Sequence, residues 1–468
     1  MTCLRRLLFV VMCCGTWGAA VADDWPQWLG RDRDSHWRET DIVERFSNDG
    51  PELRWTTKIA GGYSGPSVAA GRVFVMDWIP GKTDADEFLP DGAPPGNQNF
   101  VRKRLPGQER VLCLRESDGK VLWSHQYDCP YSSVATYAIG PRATPTVDHD
   151  LVYTVGAEGN LYCLQVSDGS VVWSIDYKDR YGLKVPNWGI ASSPLVDGDR
   201  LICIVGGEGS TCVALDKRTG QEIWHAITAP EPGYSSPVIY SIAGQRHLIV
   251  WDSHAVNSLD PESGELFWTV PFESTFAMSV ATPRIQNRSL FVMSYNRRSG
   301  MIEVGADGRS AELRWNGGPR KGIGGVHNTA FLHEGHIYAC GNGGRYICAR
   351  LDSGERVWST YQPSSRIHLD PQKKHRPVSW GNVFTVRHAD RFFLANDLGD
   401  LIIARMSPQG YEEISRANLI EPTHQVVGGR KLVWSHPAFA NRSVYLRNDK
   451  EIRCYSLAAA DWDQSAMR

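Results

Sequence analysis

The sequence predicts an all-β protein: an eight-bladed β-propeller of four-stranded antiparallel blades, its ring closed by an N-terminal strand in the last blade. Three observations carry this. A turn ending in glycine and followed four residues later by tryptophan recurs at Gly119 with Trp123, Gly169 with Trp173, Gly220 with Trp224, Gly264 with Trp268 and Gly354 with Trp358, with altered copies at Gly308 with Trp315 and Gly410 with Ile414. Upstream of each turn an apolar run begins at Pro66, Pro145, Pro194, Pro237, Pro283, Thr329, Asn382 and Pro437, and from Pro145 to Pro437 the step averages about 49 residues, the length of a four-stranded blade. Finally, there are eight starts but seven turns: after Pro437 the chain gives Ser443 to Leu446 and Ile452 to Leu457 and no fourth strand, while Leu53, Arg54 and Trp55 make a strand with no blade before it. Trp55 therefore completes the last blade, which removes the exposed edges of an open array.

In chain order, residues 1–22 read as a signal peptide: Arg5 and Arg6, an apolar run from Leu7 to Cys14, and Ala20, Val21 and Ala22 before a cut at Asp23. The run is too short to span a bilayer, and no later segment reaches 18 apolar residues, so no membrane span is expected. Met12 before Cys13 fits a lipoprotein signal poorly, so the expectation is a soluble exported monomer, periplasmic or secreted. A leader segment covers 23–50, the propeller 51–458 and a tail 459–468. Within blade 1 an insertion, 78–108, carries Asp84, Asp86, Glu87 and Asp91 among prolines and glycines and reads as a long exposed loop, a weak candidate for calcium. Each repeat then reads as a hairpin whose turn uses the positive φ that glycine tolerates. The pairs Cys203 with Cys212 and Cys340 with Cys348 sit symmetrically about turns, leaving open a cross-strand disulfide or, the stronger reading, small buried apolar residues. Cys113, Cys163, Cys212, Cys348 and Cys454 fall on one strand face.

Composition narrows the partners. Lys plus Arg number 50 against 52 Asp plus Glu, a balance that argues against nucleic acid. Hydrophobic residues at 42% supply a sizeable core and exclude disorder. There is no GxSxG elbow, no GxxxxGK loop and no HExxH helix, and His333 and His336 fall in a hairpin turn of blade 6.

Ala214, Asp216, Thr219, Gly220 and Trp224 resemble the tryptophan-docking motif of pyrroloquinoline-quinone-type propeller repeats, and DDWPQWLG from Asp23 to Gly30 is similar to the leader of exported bacterial members. The resemblance covers nearly all of the mature chain. It implies that Trp55, Trp123, Trp173, Trp224, Trp268, Trp315 and Trp358 pack between neighbouring blades, in accord with the physical expectation for one flat indole at a fixed place per blade. The wider superfamily of quinoprotein alcohol dehydrogenases implies a quinone cofactor, PQQ, with calcium on the axis. Its enzymes carry adjacent cysteines over the quinone, whereas the adjacent pair here, Cys13 and Cys14, lies in the leader peptide, and no CxxCH haem site follows.

Position along each inner strand points to a binding region. The residues just before the strand starts are mostly small: Ser64, Ala143, Ser192, Ser235, Ala281. His327, Asn328, Trp380, Trp434 and His436 depart from this, and Trp188 and Tyr234 precede the strands of blades 3 and 4. Aromatic and imidazole groups at one mouth suit a protein partner, an extended peptide or a polysaccharide, or else fill the channel. Arg142, Arg284 and Arg345 would add charge there. The expected function is a non-catalytic binding or scaffolding propeller, similar in kind to the scaffold lipoprotein of the barrel-assembly machinery but without a lipid-modified cysteine. The alternatives are a PQQ-dependent alcohol or sugar dehydrogenase and a carbohydrate-binding propeller.

Overall fold

Short apolar strands separated by glycine turns cannot bury both faces alone, and the chain solves this by stacking eight four-stranded antiparallel sheets in a ring. The computed structural model describes residues 23–82, 104–135, 139–296, 298–318, 322–325, 327–341, 343–365, 381–425 and 430–459. Blade 1 is Ser67–Ala69, Arg72–Pro80, Gly107–Arg115 and Val121–Asp128. Blades 2 to 7 span 146–176, 195–226, 238–271, 284–317, 331–360 and 383–418. Inner strands begin one residue after the expected starts, or two in blade 6, where the strand opens at Phe331.

Blade 8 contains Ala438–Ala440, Ser443–Arg447 and Glu451–Ser456, and its outermost strand is Leu53–Lys58. Trp55 pairs with Cys454 and Lys58 with Glu451, so the ring closes through the N-terminal strand as expected. A two-stranded ladder, His424–Gln425 with Lys431–Leu432, precedes this blade and has no counterpart in the repeat pattern.

The repeated tryptophan fills the seam beside its blade in seven of the eight blades, and Ile414 takes that place in blade 7. The indole N–H of Trp55, Trp123, Trp173, Trp315 and Trp358 donates to a turn carbonyl of the following blade, at Glu116, Val166, Lys217, Leu351 and Ser407. The repeat glycine has a second use beyond its positive φ. A Cβ on Gly169 would sit 2.4 Å from the Trp123 ring, and one on Gly119 2.5 Å from the Trp55 ring, so the missing side chain is the space the indole occupies.

Four of the cysteines stand directly opposite the tryptophan of their own blade: Cys113 and Trp123, Cys163 and Trp173, Cys348 and Trp358, Cys454 and Trp55. All eight cysteines of the described chain are buried and free. The disulfide alternative fails on register. Cys203 pairs with Val213 while Cys212 pairs with Ile204, and Cys340 pairs with Tyr346 while Cys348 pairs with Tyr338. Burial pushes the Cys113, Cys163 and Cys454 thiols up to about 12.

The insertion in blade 1 begins later than the sequence suggested. Arg72–Pro80 and Gly107–Arg115 stay paired from Arg72 with Arg115 to Pro80 with Gly107, so Trp78, Ile79 and Gln108 are strand rather than loop. Asp84, Asp86, Glu87 and Asp91 lie outside the described residues.

Around the axis the small residues before each strand also tie blades together. Ser193 Oγ accepts from the Thr144 N–H, and Ser236 Oγ accepts from the Ser193 N–H, both at 2.9 Å. Ser64 Oγ donates to Ala143 O and Ser235 Oγ to Ala281 O. The Ser-Ser-Pro triplet therefore supplies hydroxyl links between neighbours as well as low volume.

The leader, 23–50, closes one end of this axis. Trp25 exchanges backbone hydrogen bonds with Val68 of blade 1, and Pro26 O accepts from Val147 of blade 2. The Trp28 indole donates to Thr282 of blade 5. Arg33, 2% exposed, donates to Pro237 O at 2.8 Å and to Pro194 O. Arg284 in turn donates to the carbonyls of Arg33 and Asp34. His36 lies against Phe331, and Trp37 against His388, Phe393 and Phe439. Every blade is touched by this segment.

A candidate binding site at the end of the axis opposite the leader

The segments that lead into the inner strands form the other end of the axis, and three aromatic groups from different blades meet there. His327, before blade 6, and Trp434, before blade 8, have ring centroids 4.3 Å apart. Tyr63, before blade 1, stacks on Trp434 at 6.3 Å with planes 29° apart, and the Arg142 guanidinium lies 4.3 Å from the Tyr63 centroid. These are apolar faces with polar edges, the composition that suits a partly desolvated ligand.

Behind Tyr63 runs a hydrogen-bonded chain that the repeat pattern does not announce. The Tyr63 hydroxyl meets His424 Nε2, and His424 Nδ1 lies 3.0 Å from Asp449 Oδ2. Asp449 Oδ1 accepts from the Gly62 N–H at 3.2 Å. The pairing with His424 outweighs the burial that would raise it, and holds the Asp449 carboxyl below its ordinary range. Tyr63 carried a signal: it stands before Ser64, Gly65 and Pro66 as Tyr234 stands before Ser235, Ser236 and Pro237. His424 carried none, since it lies in a connection between blades, and Asp449 sits in a hairpin turn of blade 8 that has no marked counterpart in the repeat.

Two ring nitrogens at this cluster are buried and without a hydrogen-bond partner, His327 Nε2 and Trp434 Nε1. Burial, with Arg142 nearby, pushes the His327 imidazole down to about 3, so it is neutral at physiological pH. Orphaned buried polar atoms are uncommon and mark strain or a ligand's place.

The remaining sequence candidates are distributed differently. Trp188 and Tyr234 form a separate edge-on pair on blades 3 and 4, 6.0 Å apart. Asn328 is 1% exposed and its amide serves the fold, donating to Cys340 O and Asn382 Oδ1. His436 is also buried, packed against Trp25 and Trp28 of the leader and against Phe384, so it faces the plugged end and not the mouth. Both residues precede the inner strand Ala438–Ala440, and the two-residue advance along the axis carries the chain from Trp434, beside His327 and Tyr63, to His436, beside the leader. Trp380 lies outside the described residues. Of the arginines, Arg142 is at the cluster, Arg284 holds the leader, and Arg345 lies over Tyr361 at 5.1 Å.

The donor set does not fit a quinone held with calcium. The carboxylates at this end are already engaged, Asp449 by His424 and Asp397 by Arg430 at 2.7 Å. Among the described residues no group of three or more His, Cys, Asp or Glu converges as metal ligands would. His333 and His336 pair across a hairpin turn of blade 6, where the repeat puts them.

Comparison with known proteins places the chain among propellers of this kind. The family model described as outer membrane protein assembly factor BamB matches residues 107–360 and 210–458. No curated protein matches. Among solved structures, the quinohemoprotein alcohol dehydrogenase from Comamonas testosteroni is similar with a TM-score of 0.59 at 13% identity, covering 93% of this chain and 80% of that one. The quinohemoprotein alcohol dehydrogenase ADHIIG from Pseudomonas putida HK5 gives 0.56 at 12%, with the same coverage of 93% and 80%. BamB from Moraxella catarrhalis gives 0.49 at 14%, covering 74% and 91%. At such identities the likeness is one of fold.

Proposed function

The chain belongs to the family of the outer membrane protein assembly factor BamB, and on that premise we propose that it is an exported, non-catalytic binding propeller that takes an extended polypeptide segment at the Tyr63, His327 and Trp434 cluster. One observation supports this above the others: two unpaired ring nitrogens, His327 Nε2 and Trp434 Nε1, sit among stacked aromatic faces at the end of the axis that the leader leaves alone. An extended peptide offers a carbonyl and an N–H at every residue, which is what an indole N–H and a neutral imidazole would pair with. The signal peptide, residues 1–22, would deliver the protein to the periplasm or the exterior.

The experiment is titration of mature protein with unfolded peptides and, separately, with oligosaccharides, followed by tryptophan fluorescence. Saturable peptide binding that Trp434→Ala weakens at least about tenfold, with an unchanged Tm, is the expected result; a tenfold loss corresponds to about 1.4 kcal/mol. Binding of sugars alone would move the reading to carbohydrate recognition. Wild-type binding left intact by Trp434→Ala and His327→Ala, or dye reduction with alcohols in the presence of the quinone and calcium, would remove it.

A further inference from the structure

Asp23, Trp37 and Arg442 surround a buried carboxylate, Glu39, that has no cation among the described residues. Glu39 is 7% exposed. Its Oε2 accepts from the Trp37 indole at 2.6 Å and from the Arg442 backbone N–H at 2.8 Å, and its Oε1 accepts from the Asp23 backbone N–H at 3.3 Å. All three donors are neutral. Among the described residues no Lys, Arg or His nitrogen comes within 4.0 Å of this carboxylate. An ionised carboxylate removed from water without a counter-charge is destabilising, and neutral donors offset only part of that cost.

The position of the third donor suggests what supplies the missing charge. Asp23 is the residue before which the signal peptide is expected to be cut, a reading on which this inference rests. We propose that Glu39 is the receptor for the α-ammonium group that cleavage releases at Asp23. Hydrolysis of the Ala22–Asp23 peptide bond by a signal peptidase adds water: the hydroxyl joins the Ala22 carbonyl carbon, and the Asp23 nitrogen departs as an amine that is protonated near neutral pH. A neutral amide donor thereby becomes a cation against the same oxygen.

The Asp23 side chain and the next two residues hold this nitrogen in place. Arg31 Nε, at 3.2 Å, and the Arg38 N–H, at 3.3 Å, hold the two oxygens of the Asp23 side chain. Asp24 accepts from the Ala70 N–H at 3.3 Å, and Trp25 pairs with Val68 through both backbone groups at 2.9 Å. The charged groups around the new amine are thus its own carboxylate, Arg31, Arg38 and Glu39 on the leader and Asp24 beside it, and Asp24 in turn interacts with Glu116 on blade 1, which accepts from Asn441 and Tyr445 of blade 8. Glu39 also fastens blade 8 through Arg442, so the ion pair would couple maturation to the seating of the leader across the ring.

The test exports the full chain, recovers the mature protein, determines its N-terminus by sequencing, and measures acylation of the α-amine against pH by mass spectrometry of the N-terminal peptide. Two comparators are Glu39→Gln and a chain carrying one extra glycine before Asp23. An amine paired with Glu39 has its pKa raised at least about one unit above the ordinary 7.7 to 8.0, giving roughly tenfold slower acylation at pH 7 that both comparators relieve. The same pairing is present below the unfolded amine's pKa and lost as pH rises through the folded one, so the Tm advantage over the glycine-extended chain fades above about pH 9. An Asp23 amine that titrates ordinarily and shows no Tm difference from the glycine-extended chain overturns the receptor. An exported protein beginning elsewhere than Asp23 overturns the proposal at its premise, and the two failures are told apart by the sequencing step.

Discussion

His436 shows how one buried side chain sets a pH dependence. Its ring is enclosed by Trp25, Trp28 and Phe384, and burial pushes its pKa down to about 4, against which the Pro437 carbonyl gives only partial relief. Above the ordinary histidine pKa of about 6.5 both folded and unfolded chains are neutral here, and stability is flat. As pH falls from 6.5 to 4 the unfolded chain takes up a proton that the folded chain refuses, so stability is lost across that window, by on the order of 2–4 kcal/mol for this group. His436→Gln should flatten the slope of the urea midpoint between pH 6.5 and 4 by about one proton's worth. A slope identical to that of the parent would show that His436 is solvated. His327 acts in the same direction at the opposite end.

Among elements, the leader is where sequence reading fell furthest short. The blades were legible because a period repeats: the Gly-to-Trp spacing fixed which turn precedes which seam, and the start triplets located inner strands to within two residues. The leader has no second copy, so nothing in its own pattern says that Arg33 will enter the axis or that Trp37 will be fully buried. The candidate site was half legible for a related reason. His327 and Trp434 broke the small-residue rule at a repeat position, whereas His424, in a connection, meets Tyr63 across 361 residues of chain and is backed by Asp449 from a turn of blade 8. Register decided the cysteines: symmetry about a turn does not make two residues opposite when the turn is asymmetric.

The leader's hold on the ring can be measured. Arg33 is buried with no carboxylate paired to it among the described residues, its guanidinium donating to Pro194 O, Pro237 O and Gln27 Oε1, and burial pushes its pKa down to about 9. Arg33→Ala would take the guanidinium donor from Pro237 O, leave Pro194 O with the Thr146 hydroxyl alone and open a void on the axis, an expected loss of about 2–4 kcal/mol in denaturant unfolding. A loss under about 0.5 kcal/mol would mean that the segment lies on the ring without supporting it.

The whole molecule depends on one seam that differs in origin from the other seven. Strands within each of blades 1 to 7 are neighbours in sequence, while in blade 8 Trp55 pairs with Cys454 and its indole docks to Glu116 of blade 1. Trp55→Ala removes both the wedge and the grip of the closing strand, with an expected loss of about 3–5 kcal/mol from the size of the deleted side chain. Because the closing strand covers the edge of Glu451–Ser456, this variant should also self-associate, visible as oligomers on size exclusion. A monomeric variant with parental stability would place closure elsewhere.

The same seam dictates the order in which the structure can be completed. Residues 23–58 leave the ribosome before any blade exists, yet their partners include Ser456 and Leu457, at the end of the eighth blade. A growing chain can seat Trp25 on blade 1 early, but it carries the strand Leu53–Lys58 unpaired through the synthesis and passage of some 400 residues before its partner strand exists. Completion is a single late event, so an interrupted chain, however many finished blades it holds, would remain an open and adhesive arc.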